Sequence, residues 1–300
     1  MNALKQKMKD KTAVIFLDKL AYRFSSHNVV WAGASLTYYL ILSLFPFIIV
    51  LLNILSYTSF IREGVLFDMI QYLPVDIQLI IEGFVDDLLR SSSEGLLSIA
   101  ALAGLWTASS GVMAIIKAIN LAYDYAENRN FLKLRGLSVL FTLALLVMIS
   151  LVLISLVLGP LLGKMLFDNL GYAETFSKLW GYLRYIIPIA FMVLIFALMY
   201  KFSPNIGKSL KIPLKFVLPG AIFTTFFWIV LSLLFSFYVT NFGKYALTYG
   251  SLGGVIVLLI WLYYSSIVLV VGGEINAALE DMRLNGIKVD PEKSAFYRVR

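Results

Sequence analysis

The stretch Leu96–Asp124, LLSIAALAGLWTASSGVMAIIKAINLAYD, decides the class of fold. It contains the roughly 20 consecutive, mainly apolar residues that an α-helix needs to cross a bilayer. Its middle, Trp106-Thr107-Ala108-Ser109-Ser110-Gly111, departs from ordinary lipid-facing sequence. Small residues recur at every fourth position, Ala100, Gly104 and Ala108 on one ridge and Ser110, Ala114, Ala118 and Ala122 on another. In lipid such ridges let helix backbones approach closely, and van der Waals packing then replaces the missing hydrophobic drive. Small residues on two faces predict a central span with helices around it. Lys117 and Asn120, near its end, are polar groups that lipid does not accommodate alone.

The totals agree with a membrane domain. Of 300 residues, 60% are hydrophobic and 14% charged, and the mean hydropathy is +0.85, far from soluble globular composition. The net charge of +7 does not indicate nucleic acid, because the basic residues lie in the segments between spans, where Lys and Arg report topology. Cys is absent and His27 is the single histidine. Disulfides, cysteine nucleophiles, thiolate metal sites and His-rich metal clusters are therefore excluded, and no metal or other cofactor is expected. The first long apolar run starts near Val29, too far in for a secretory signal.

The pattern predicts an all-α integral membrane protein with six transmembrane helices and both termini cytoplasmic. Residues 1–29 form an amphipathic segment, 30–277 the membrane domain and 278–300 a cytoplasmic tail. From Thr12 to Phe24, Ala13, Leu17, Leu20 and Phe24 share one helical face, with Asp18, Lys19, Tyr22 and Arg23 between them. That suits a helix in the membrane interface; packing on the protein's own inner ends fits as well. The first span is Val30–Tyr57, interrupted by Pro46, which removes a backbone bond. Residues 58–95 carry seven acids against two bases, an external signature. After Pro74 they show helical apolar spacing, an amphipathic external helix. The third span, Leu137–Leu158, is closed by Gly159-Pro160 and followed by an external segment with amphipathic pieces around Phe167, Leu170, Phe176 and Trp180. The fourth, fifth and sixth spans are Leu183–Tyr200, Phe216–Val239 and Ser251–Ala277. Between the fourth and fifth, Lys201, Lys208, Lys211 and Lys215 stand with no acid, a cytoplasmic marker, and Lys133 and Arg135 belong to another cytoplasmic loop. No internal repeat argues for an inverted-repeat transporter.

Alignment of the spans by depth gathers one polar zone near the inner boundary. Lys117 and Glu274 lie about a turn above it, Asn120 and Asn276 just below them, and Ser35, Thr37, Tyr38 and Tyr39 in the neighbouring half of the first span. Ionisable residues within spans are functional hypotheses with a partner to be named; here the pair is Lys117–Glu274, at the base of an inward-facing cavity to which Trp106, Thr107, Ser109 and Ser110 also contribute. Snorkelling of Lys117 and capping by Glu274 would explain the same residues without function. Pro46, Gly111, Gly250, Gly253, Gly254, Gly272 and Gly273 are candidate helix breaks, with close packing as the alternative use of the glycines.

Three motifs carry a resemblance over nearly the whole chain: Ala34-Ser35-Leu36-Thr37-Tyr38-Tyr39 with Ser43-Leu44-Phe45-Pro46; Leu105 to Gly111 with Asn120-Leu121-Ala122-Tyr123; and Tyr249 to Gly254 through Gly272-Gly273-Glu274-Ile275-Asn276-Ala277. On these the chain resembles the YihY/BrkB family. The resemblance implies a six-span protein of the bacterial cytoplasmic (inner) membrane, in a family that once bore a ribonuclease BN name and whose relatives include some with a virulence label. It supplies no residue roles. The ribonuclease reading fails on chemistry, since one His and no inward-facing acid cluster cannot build a metal-dependent nuclease site, and no enzyme activity is expected. A transporter or flippase leads, its partners being membrane lipids and its substrate an anionic lipid, an amphiphile or a small solute. The rival is a non-transporting scaffold in envelope assembly, in which the small-residue ridges would be contacts of a homo-oligomer.

Overall fold

A computed structural model describes residues 12–56, 94–168, 173–205, 212–242 and 253–296. Those residues form seven helices and no strand: α1 Thr12–Ser26, α2 Val29–Ser56, α3 Glu94–Ala122, α4 Phe131–Asp168, α5 Ala173–Phe202, α6 Leu214–Phe242 and α7 Gly253–Asn285. Five of them contain segments long and apolar enough to cross a membrane: Leu102–Ala122, Phe131–Leu151, Lys178–Phe202, Leu214–Val239 and Gly253–Asn285. The stretch Val29–Leu44 of α2 is a shorter apolar helix.

The long helices form a closed ring. Each packs on its neighbour in the chain from α2 to α7, and α7 returns to pack on α2. The helix α3 also touches α7 across the ring, and α2 touches α4, so α3 has the several helical neighbours that its two small-residue ridges demand. The buried apolar cluster sits at one end of this ring. It joins Val29 and Leu36 of α2, Ile116 and Ile119 of α3, Leu134 of α4, Tyr200 of α5, Val217 and Ala221 of α6, and Val270 and Ala277 of α7.

Several boundaries differ from the sequence expectation. The helix α4 runs through Gly159 and Pro160 to Asp168 instead of ending there; proline costs a span one backbone donor, and that loss is tolerated inside helical bundles. Helix α5 starts at Ala173, so much of the expected external segment is helical, and α7 continues two turns past Ala277. Pro46, Gly111, Gly272 and Gly273 do not break their helices, which pass through them uninterrupted. The glycines make close approaches instead: a β-carbon at Gly111 would collide with Ser43 of α2, and one at Gly272 with Thr224 and Tyr200. Gly253 and Gly254 open α7, whereas Gly250 lies outside the described residues, as do Leu170, Lys208, Lys211 and the acidic segment from 57 to 93, where an amphipathic helix is expected.

Candidate functional site

At the end of the ring that holds the apolar cluster, α1 lies across α7 with its charged face inward. On a helical wheel Asp18, Lys19 and Arg23 stand opposite Leu17 and Phe24. The first three are buried, whereas Leu17 is 55% and Phe24 39% exposed. The apolar stripe therefore does not dock on the bundle; the charges do. Lys19 pairs with Asp281 and Arg23 with Glu274, so two basic residues one turn apart meet two acids two turns apart on α7. Asp18 accepts from the Ser294 hydroxyl at 3.0 Å and from the backbone N–H groups of Ala295 and Phe296 at 2.9 and 2.7 Å. Of the two placements open for this segment, contact with the protein's own helix ends is the one observed.

The centre of the arrangement is a quartet of charges. Glu274 is completely buried, and each of its oxygens has a cationic partner: Oε2 accepts from Arg23 Nε at 3.0 Å and Oε1 from His27 Nδ1 at 2.7 Å. On the other side Asp124 accepts from Arg23 Nη2 at 2.9 Å and lies 2.9 Å from His27 Nε2. Arg23 Nη2 also donates to the Ala122 carbonyl oxygen at 2.6 Å, one of the free carbonyls at the end of α3. The hydrogen bonds to Asp124 and then Glu274 raise His27 to about 9 against the opposing effect of burial, so the ring is protonated at neutral pH. The bond from His27 holds Asp124 down at about 2, against desolvation and with help from Arg23. Two cations and two anions thus form a neutral, fully bonded group. Asn28, next to His27, and Asp124 itself are the two non-glycine residues in the left-handed region among the described residues, at φ 49° and 58°; Asn and Asp are the side chains that tolerate it best.

The expected Lys117–Glu274 pair is not formed. Lys117 is exposed on α3, and the partners of Glu274 come from α1 and the turn after it. A fully buried carboxylate takes the cations that are buried with it. Asn120 and Asn276 do lie at this end, each tying chain segments together. Asn120 donates to Glu127 at 2.7 Å and accepts from the Asn205 N–H at 2.6 Å. Asn276 accepts from the Gly220 N–H at 2.7 Å and donates to the Val217 carbonyl oxygen at 3.0 Å. There α6 and α7 meet at Gly220 and Gly272, with Tyr200 bonded to Thr224 and to the Leu269 carbonyl oxygen.

Thr37 is buried between α2 and α7, 3.3 Å from Ser266, and Ser109 is buried against its own helix, bonded to the Trp106 carbonyl oxygen. Ser35, Tyr38, Tyr39, Trp106 and Thr107 are exposed and line no common enclosure with Glu274. Ser110 is half-buried and receives a bond from Arg135 at 3.1 Å. An open groove of about 350 Å³ between α4 and α5 is lined by apolar side chains, among them Leu137, Phe141, Leu145, Ile195 and Phe202. Among the described residues no group of three or more His, Cys, Asp or Glu stands close enough to hold a metal ion. Arg23, His27 and Asp124 were missed from the sequence as site residues, although a lone histidine beside an arginine in a short helix was there to notice.

A ring of long apolar helices with its charges drawn to one end defines a multi-pass membrane protein. The chain belongs to the virulence factor BrkB family, whose model matches residues 20–296. It is 39% identical to a Bacillus subtilis protein called ribonuclease-like, YfkH, over 88% of this chain and 94% of that one. A UPF0761 membrane protein of Tolumonas auensis is 30% identical over 83% of this chain and 80% of its own. One from Haemophilus influenzae is 26% identical over 87% and 93%. No solved structure matches the chain. With the apolar helices, these relatives identify a multi-pass bacterial membrane protein.

Proposed function

We propose that this protein moves an amphiphile or small solute across the membrane, and that the quartet of Arg23, His27, Asp124 and Glu274 closes one end of the bundle. The observation that carries this reading is Glu274: a fully buried carboxylate on a membrane helix whose partners are supplied by a separate short helix and the turn after it. Ionisable groups so placed mark pathways in membrane proteins, and an ion-paired contact between a short helix and a bundle is an element with two discrete arrangements, docked and released. With α2 counted as a span, six helices cross, about 42 Å of helix being available in its 28 residues. The basic residues between α5 and α6, the segment after α3, α1 and the tail then share the cytoplasmic side. The bonds between Asn120 and Asn205, Arg23 and Asp124, and Asp18 and Ser294 support that grouping. The absence of any three-residue metal-ligand group among the described residues favours transport over the ribonuclease-like name that one relative carries.

The test is flux in proteoliposomes with a fluorescent acidic lipid, wild type beside Glu274→Gln. Wild-type protein should accelerate movement over protein-free vesicles, and the variant, folded and inserted, should lose that activity at least tenfold. The exposed Ser35, Tyr38 and Tyr39 on α2 favour a second reading, an envelope scaffold that uses this face. A scaffold would show no flux and would tolerate Glu274→Gln.

A further inference from the structure

Arg135 is buried, 6% exposed, in the second turn of α4. Its side chain crosses to α3, where Nη1 donates to the Ser110 hydroxyl at 3.1 Å and Nη2 to the Trp106 carbonyl oxygen. The guanidinium lies 4.0 Å from the centre of the Trp106 indole, and Nε, buried, has no hydrogen-bond partner. Among the described residues no carboxylate pairs with it.

The location makes this unusual. Along the span Leu102–Ala122 Ser110 stands roughly 18 Å from Ala122, and Arg135 stands about 6 Å from Phe131, where the span Phe131–Leu151 begins, so the guanidinium bridges two membrane helices near the start of α4. Arginine does not shed its charge there, and a buried cation without a counter-charge is costly to keep. Among the described residues a carbonyl and a hydroxyl are its only hydrogen-bond partners, neither of them charged, and the buried Nε N–H has none. The site is close to the surface: Trp106 and Phe131, with ring centres 6.5 Å apart, are 51% and 61% exposed. The planar fork of a guanidinium is the group that best matches two oxygens of a phosphate or carboxylate.

We propose that Arg135, with Ser110 and the Trp106 indole, forms an anion-binding site between the membrane helices α3 and α4 that takes a phosphate or carboxylate group. The oxyanion supplies the missing counter-charge and the acceptor for Nε. It reaches the site either as the headgroup of an acidic amphiphile passing the two exposed rings or as a free ion. The site shares no residue with the charge quartet and its occupancy does not require transport. A protein that binds without moving its ligand leaves this inference standing and overturns the transport reading.

The test is thermal unfolding of the purified full chain in neutral detergent, titrated with short-chain phosphatidic acid, with short-chain phosphatidylcholine and with inorganic phosphate. Binding to the folded state raises the midpoint temperature in a saturable way. Phosphatidic acid should do so and phosphatidylcholine should not. A matching shift with inorganic phosphate identifies a free oxyanion, and a shift with the lipid alone identifies a headgroup. Arg135→Gln should weaken binding at least tenfold and Arg135→Lys, which keeps charge but not the fork, by less; Lys133→Gln, at a nearby exposed lysine, should bind as wild type does. Equal response to both lipids, no response at all, or an undiminished response in Arg135→Gln overturns the proposal. Should that variant not fold, Ser110→Ala and Trp106→Phe decide it: weakened binding in either supports the site, and wild-type binding in both overturns it.

Discussion

Arg23 and Arg135 are both buried, 9% and 6% exposed, and the chain treats them in opposite ways. Arg23 has two carboxylates and a helix-end carbonyl, and its neighbour His27 bonds the same two acids. Arg135 has a carbonyl, a hydroxyl and the face of an indole, none of them charged. The first arrangement is complete in the protein alone; the second is complete only with something added. The difference separates a contact that holds the fold together from one that retains binding capacity, a distinction that burial by itself does not make.

The largest expected effect breaks the complete side. Arg23→Gln leaves Glu274 buried without its guanidinium and should cost about 3–5 kcal/mol of stability, read by denaturant unfolding of the detergent-solubilised protein. Arg135→Gln, which removes an uncompensated cation, should stay within about 1 kcal/mol of wild type in the same experiment. Equal losses in the two variants would erase the distinction. Next in size is the pH dependence of the quartet. Folding raises His27 from 6.5 to about 9, so its contribution is fully present below about pH 6.5 and is lost as pH rises through about 9. Asp124 works in the other direction, contributing above its ordinary 3.8 and losing that contribution as pH falls through about 2. The wild-type midpoint temperature should therefore decline from neutral pH towards 9, and His27→Gln should flatten that decline. The smallest effect concerns Lys117, exposed and not paired with Glu274. Lys117→Gln should change stability by no more than about 0.5 kcal/mol.

Much of the fold was legible because apolar run length and charge placement are local properties. The start of the first span at Val30 against Val29 for α2, and the polar middle of α3 inside a helix with neighbours on several sides, follow from them. Gly159-Pro160 misled because proline usually closes a helix in water, whereas a membrane bundle lets it pass. The site was less legible. Glu274, Asn120 and Asn276 were found by depth, since a polar residue within a span is conspicuous wherever it lies. Their partners were not: Arg23 and Glu274 are separated by most of the chain, and Lys19 and Arg23 look like the wet face of an interfacial helix. The usual rule of apolar inside and charged outside is inverted in α1 because its inner neighbours are acids. In sequence Arg135 looks, like Lys133, to be a loop charge, but α4 begins at Phe131, and that start carries Arg135 into the bundle.

The clasp of Asp18 on residues 294–296 has a consequence for the order of assembly. The helix α1 is the first of these elements to leave the ribosome, yet Glu274, Asp281 and the backbone donors of Ala295 and Phe296 are among the last. Asp124 and the Ala122 carbonyl emerge with α3 and can meet Arg23 early, but Lys19 and Asp18 have to wait for their partners until α7 and the segment after it are made. Of the described helices, the first made therefore completes its docking only after the last has emerged.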